Sequence, residues 1–457
     1  MGKYLKVIFI DLFSLIIGIT SGFLLPKFLS IENYSIVRTF GLYIGYCTVL
    51  HFGFSDGIYI ILGGKNLSIE LKKKIRGYFN VLLKIIFFTM LALFVINLFL
   101  KNYYLTVFLL YTIPCQINLF LSMVYRALNE LKYYTWMKGL TNIFTLISIV
   151  LCIIFSNSYV YINSQIMLQY IIMIIFLIHF FKNFKDAIPI ETSEIRYITK
   201  LGFSLLIGNL VYNLIFSMDR WFVKILFDSN DFAFYSFGVS MLNLFIVLIT
   251  SVSVILYPYL CKHLENKERI LLIKKALLIV SSFSMGGFFV LKIIVDTFLN
   301  QYIPSLNVLA ILIACIPFIT LVNALYCNLY RAYHQTKRYS KVSFWIFICG
   351  FLFNWLLIIV FKNPCMLAFG SLFSFIIWYL ISNRDFKELI INKKEFIWIS
   401  TCILTYGLLI QNNQLAVINF VLFYLIIGII CAICFSNELK HIIQYIEQVV
   451  KKNKFSR

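Results

Sequence analysis

Charge is what this sequence has least of. Only 13% of its 457 residues are Asp, Glu, Lys or Arg, against roughly 25% in an ordinary soluble chain, and just 19 are acidic. With 61% hydrophobic residues and a mean hydropathy of +0.90, a water-soluble enzyme is excluded and the chain reads as one that lives in a bilayer. Long polar stretches are missing too, which leaves no room for an extramembrane catalytic domain. Clustered cysteines are absent. The 11 present stand singly, mostly in apolar runs, and the close pair Cys431 and Cys434 lies within one, so they read as buried small hydrophobes with no metal, redox or cofactor role. Nor is there a concentrated basic patch: the formal charge of +21 is spread between apolar runs along the whole chain, which argues against nucleic acid and for loops facing anionic lipid. The opening residues lack a small-residue cleavage site, and the apolar run past Leu25 is too long for a signal peptide, so it is read as the first span.

What is there is a series of apolar runs. About 20 apolar residues cross the hydrocarbon as a helix, and on that rule fourteen spans are expected, near 5–26, 39–62, 77–100, 104–126, 139–156, 159–181, 201–225, 232–258, 276–298, 304–330, 342–361, 364–381, 396–410 and 415–435. Placing the amino terminus in the cytoplasm puts 32 of the 40 basic residues on the cytoplasmic side, where they outnumber those across the membrane at every crossing. Lys27, Arg38, Lys101, Lys224 and Lys362 fall on the other side, and Lys84, Arg220 and Lys292 fall within spans. One miscounted span would invert every later loop, so an even number near fourteen is expected, with both termini inside. The tail from Asn437 mixes Ile and Val with Lys and Glu at helical spacing, as a surface helix on the inner leaflet would, or else as a solvated basic end.

An internal repeat is visible. Tyr125-Arg126-Ala127, followed by Lys132 and Tyr134, returns 205 residues later as Tyr330-Arg331-Ala332, followed by Lys337 and Tyr339, and Asn118 and Asn323 share that offset. Ile113-Pro114 and Ile316-Pro317 lie upstream, displaced by two residues from the same register; each proline marks a hinge or a static kink. Six spans per unit return the chain to its starting side, so the halves share orientation about a pseudo-twofold axis along the membrane normal, with a cavity expected between them. The expected fold class is therefore all-α and polytopic: a six-helix lobe over 1–181, a cytoplasmic linker 182–200, a second six-helix lobe 201–381, two extra spans in 382–435 and a basic cytoplasmic tail 436–457.

Several short motifs carry a resemblance. They are Gly22-Phe23-Leu24-Leu25-Pro26 with Ser30-Ile31-Glu32-Asn33-Tyr34, His51-Phe52-Gly53-Phe54-Ser55-Asp56-Gly57-Ile58, Tyr125-Arg126-Ala127, and Met218-Asp219-Arg220-Trp221-Phe222 ahead of Asp231 to Ser236. Across essentially its whole length the chain resembles the polysaccharide transporter, or O-antigen flippase-like, proteins of the multidrug/oligosaccharidyl-lipid/polysaccharide exporter superfamily. The resemblance implies two six-helix lobes around a V-shaped cavity, two further carboxy-terminal helices, and alternating access that carries a polyprenyl-pyrophosphate-linked glycan (O-antigen, capsule or a related unit) to the outer leaflet of the bacterial cytoplasmic membrane. Membrane lipids, a glycan polymerase and glycosyltransferases of the same pathway are the implied partners.

Such a cargo carries an anionic pyrophosphate, and an isolated ion entering hydrocarbon costs tens of kcal/mol in the Born limit. A carrier needs a hydrated slot with a few cations, which directs attention to charges inside spans. Arg220 is the leading phosphate candidate because guanidinium stays charged and donates a planar fork; the competing reading pairs it with Asp219 or another carboxylate. Lys84 and Lys292 are further substrate-binding candidates, with Asp219 and Asp56 beside them; Lys84 alternatively snorkels, and Lys292 alternatively pairs with Asp296 one helical turn on. Asp11, Asp296 and His51 are candidates for ion coupling or for holding the lobes, while Arg126 and Arg331 mark topology or meet cargo at the cytoplasmic mouth. His51 and His179 read first as hydrogen-bonded core histidines and second as proton relays. Two other functions remain open. An ion-coupled drug exporter of the same superfamily favours an acidic cavity, whereas intramembrane cations and anions here are nearly balanced; a glycan polymerase or glycosyltransferase needs a large outer loop or paired cytoplasmic carboxylates, and neither is present.

Overall fold

In lipid every backbone polar group must find its partner within the chain, and helices achieve this locally. The computed structural model describes residues 2–63, 65, 67–412 and 415–436, and every regular element among them is helical. The chain divides into two compact units. Unit 1 comprises Met1–Ser217 and Leu226–Ser236, and unit 2 comprises Met218–Ile225 and Phe237–Arg457.

Unit 1 holds α1 (Gly2–Phe28), α2 (Ile31–Ile44), α3 (Phe54–Leu62), α4 (Ile69–Leu100), α5 (Tyr103–Ala127), α6 (Leu131–Phe155), α7 (Ser158–Asn183) and the first part of α8 (Thr192–Leu226). Starts are set by short polar side chains that accept from freed amides, as Ser30, Ser68, Asn102 and Asn157 do. The core between α4, α5 and α7 is aromatic: Phe79 lies 5.7 Å from Phe120 and 5.1 Å from Phe180, ring centre to ring centre. α3 meets α8 backbone to backbone. Gly53 caps α3 with φ +84°, a conformation glycine adopts without strain, and a Cβ on Gly202 would sit 1.9 Å from the Gly53 carbonyl oxygen.

Unit 2 holds most of α9 (Ser229–Lys262), then α10 (Lys267–Ser284), α11 (Gly287–Phe298), α12 (Ser305–Ile313), α13 (Ile316–Thr320), a π-helical turn over Leu321–Tyr326, α14 (Cys327–Ala332), α15 (Thr336–Phe361), α16 (Leu367–Asp385), α17 (Lys393–Gln411) and α18 (Ala416–Cys434). α17 is built into the unit by buried polar bonds. Lys274 of α10 and Glu395 of α17, both without solvent exposure, are 2.6 Å apart; Trp398 Nε1 donates to Ser282 Oγ at 3.0 Å, and Tyr406 donates to the Ala310 carbonyl at 2.9 Å.

Among the described residues, ten helical segments, with α10 and α11 counted as one, are long and apolar enough to cross a membrane, and three bent pairs raise the number to as many as thirteen. The chain is a multi-pass membrane protein. The bent pairs are the second, seventh and tenth expected spans, broken by 55°, 57° and 47°. α17 stands at the thirteenth expected position, but it opens on Lys393, Lys394 and Glu395 and its apolar run falls short of the others, so length and composition do not reach fourteen. Residues 192–200 are already helical, and Gly202 packs this part of α8 against α3. The tail expected to form a surface helix from Asn437 lies outside the described residues.

The 205-residue repeat is written in hydrogen bonds. After α5 the amides of Leu128, Asn129 and Glu130 donate to the carbonyls of Val124, Arg126 and Tyr125; after α14 those of Tyr333, His334 and Gln335 donate to Leu329, Arg331 and Tyr330. Asn129 and His334 adopt φ of +58° and +56°, so both helices close in the same Schellman motif. One helix further on, Ser156 and Lys362 again share a left-handed conformation, and Asn157 and Asn363 each cap the next element through the side chain. The two prolines diverge: α5 runs unbroken through Pro114, whereas Pro317 follows a 47° break and precedes the π turn.

Candidate functional site

The charges expected inside spans fall into distinct settings. In unit 2, Asp219 is buried on α8, where its carboxylate accepts from the Arg220 amide at 2.7 Å and from Ser371 Oγ of α16 at 2.9 Å. It is thereby part of the packing of α8 on α16. Arg220, the next residue, is half-buried. On α11, Lys292 is half-buried and Asp296 exposed, and the ion pairs among the described residues do not join them, although they are four apart.

In unit 1, His51 Nδ1 accepts from the Gly53 amide at 3.0 Å, which leaves the ring proton on Nε2, 3.8 Å from Asp56 Oδ2. His51 is thus buried and hydrogen-bonded at the break in the second span. Asp11 pairs with Lys138 of α6, and Asn142 donates to Ser14 Oγ at 2.7 Å one turn on, so this carboxylate fastens α1 to α6. Lys84 is exposed on a face of α4 that also presents Phe87, Phe88 and Leu91 at helical spacing. His179 packs its ring 4.2 Å from that of Tyr133.

Arg126 is exposed at the end of α5, with its guanidinium 5.3 Å from the Tyr59 ring centre and 5.2 Å from that of Tyr134; Arg331 is likewise exposed at the matching end of α14. Asp219 is gathered with Ser371, His51 with Asp56, and Asp11 with Lys138.

Several cations read from the sequence as lying outside spans are inside helices, among them Arg38, placed across the membrane, and Lys274, one of the 32 placed on the cytoplasmic side. Arg38 is on α2, donating through Nε to the Tyr34 hydroxyl at 2.7 Å and stacking 4.8 Å from its ring centre. Lys274 is fully buried and donates to Glu395 and to the Leu389 carbonyl at 2.7 Å. A signal was present for Lys274, which sits between Ile270-Leu271-Leu272-Ile273 and Ala276-Leu277-Leu278-Ile279. Their partners, up to 121 residues away, had none.

No family model and no curated protein matches the sequence. Among solved structures, the chain is similar to a lipid II flippase, MurJ, in an inward closed conformation: the TM-score is 0.69 at 19% identity, over 95% of this chain and 100% of that one. The two chains share a fold. The likeness to MurJ covers nearly the whole of this chain.

Proposed function

We propose that this protein is a flippase that carries a polyprenyl-pyrophosphate-linked oligosaccharide from the inner to the outer leaflet of the bacterial cytoplasmic membrane, without covalent chemistry. The observation that carries this reading is the fold likeness to a lipid II flippase over nearly the whole chain, joined to half-buried cations on helices of a membrane domain. An O-antigen, capsule or related surface glycan unit is the proposed cargo, and the glycosyltransferases and polymerase that make and use it are the proposed partners.

Arg220 is the proposed phosphate ligand and Lys292 its second cation. Asp219, held by Ser371 and by the Arg220 amide, acts on cargo through Arg220 by fixing the α8 segment that bears it. Lys84 shares its face with three exposed apolar residues and is proposed to snorkel along lipid. Asp11 is proposed to hold helices together, as is His51 with Asp56, and Arg126 and Arg331 are proposed to stand at the cytoplasmic mouth. Asp296, exposed and separate from Lys292, is left as the coupling candidate. In a cell that depends on this protein for surface glycan, Arg220→Ala is expected to abolish display while the protein still reaches the membrane; full display would reject the assignment. Drug accumulation unchanged by deleting the gene separates this reading from a drug exporter.

A further inference from the structure

One end of unit 2 holds a cavity of about 270 Å³. Three helices stop there, α10 beginning at Lys267, α14 ending at Ala332 and α16 ending at Asp385, so the cavity opens where candidate spans leave the hydrocarbon for water. Its floor is apolar and buried, made by Ile270, Leu329 and Leu389, and one wall is Tyr333 with its ring 5.9 Å from that of Phe386. The rim is charged. Asp385 is fully engaged, accepting from Arg338 at 2.8 and 2.7 Å and from the Tyr330 hydroxyl at 2.6 Å. Glu388 meets Lys267 in a pair whose side chains remain 49% and 64% exposed, an arrangement that contributes little and exchanges readily. Lys387 is exposed beside them. Counting Arg338 with the carboxylate it neutralises, three cations face two anions, a net charge of +1 over an apolar floor.

An amphiphile with one negative charge complements that arrangement. We propose that the cavity binds the phosphodiester head of an anionic membrane phospholipid, with Lys267 and Lys387 on the phosphate oxygens and the glycerol carbons over Ile270 and Leu329. Free phosphate shares the anionic chemistry but leaves the floor uncovered. A zwitterionic lipid leaves the net charge unmatched. The site is separate from Arg220 and stands whether or not the cargo is a glycan.

The full chain in nanodiscs of equal parts phosphatidylglycerol and phosphatidylcholine, released into a native mass spectrometer, is expected to retain a phosphatidylglycerol molecule in preference to phosphatidylcholine. Lys267→Ala/Lys387→Ala is expected to cut that retention by roughly tenfold or more. Ile270→Phe, which fills the floor without changing charge, is expected to do the same. Because both lysines are exposed, the double variant should unfold in phosphatidylcholine at the wild-type temperature. Lys72→Ala/Lys74→Ala removes equal charge from half-buried positions at the start of α4, in the other unit, and should leave retention intact. An equal loss in that control, unchanged retention in either site variant, or displacement of the lipid by inorganic phosphate would overturn the assignment.

Discussion

Replacing Lys274 by Met removes the cation from a pair that has no exposure on either side. Glu395 then keeps a carboxylate in the interior, and its Oε1 already has no hydrogen-bond partner among the described residues. The Leu389 carbonyl loses its 2.7 Å donor in the same step. Breaking a buried pair from one side costs about 3–5 kcal/mol, and the second lost bond puts the expectation in the upper half of that range. Removing both charges together, as Lys274→Met/Glu395→Leu, avoids the stranded ion and is expected to recover most of the loss. Reversible denaturant unfolding of the purified protein in mixed micelles reads both quantities. A single-variant loss below about 1 kcal/mol, or a double variant no more stable than the single, would refute the claim that this pair joins α17 to α10.

Gly202→Ala brings a methyl group to 1.9 Å from the Gly53 carbonyl, so α3 and α8 must part; a loss of about 1–3 kcal/mol is expected by the same unfolding assay, and an unchanged stability would contradict the close crossing. Asp11→Ala breaks a pair with Lys138 whose side chains are 53% and 33% exposed, and should cost no more than about 1 kcal/mol, with Lys138→Ala adding little further. A double-mutant cycle on the two checks this, and a coupling of several kcal/mol would show the pair to be more than a fastening.

The helical class was legible because the signal is a bulk one: apolar runs of span length repeat along the chain, and lipid leaves the backbone few other choices. The repeat was legible for a local reason, since Tyr125-Arg126-Ala127 and Tyr330-Arg331-Ala332 end helices whose closing hydrogen bonds lie entirely within adjacent residues. The bends were not. The break at Gly53 depends on a helix from residues 192 onward packing against it, and no window along the sequence contains both. Arg38 and Lys274 read as lying outside spans because a charge at the edge of an apolar run looks alike whether the helix stops or continues. What decides it is a partner far along the chain, Glu395 for Lys274, or a local one turned inward, Tyr34 for Arg38. The candidate site was legible as a set of rare charges. Their settings appear only with tertiary neighbours: Asp11 pairs with Lys138, Asp219 accepts from Ser371, and Lys84 lies on an apolar face.

The most direct test is translocation by the purified protein. In proteoliposomes loaded with a fluorescent polyprenyl-pyrophosphate glycan, wild type is expected to make inner-leaflet label accessible to a membrane-impermeant quencher. Arg220→Ala should slow this by roughly 10- to 100-fold, the loss of charged hydrogen bonds worth about 1.5–3 kcal/mol. No acceleration over protein-free vesicles, with the same protein correctly folded, would contradict the account.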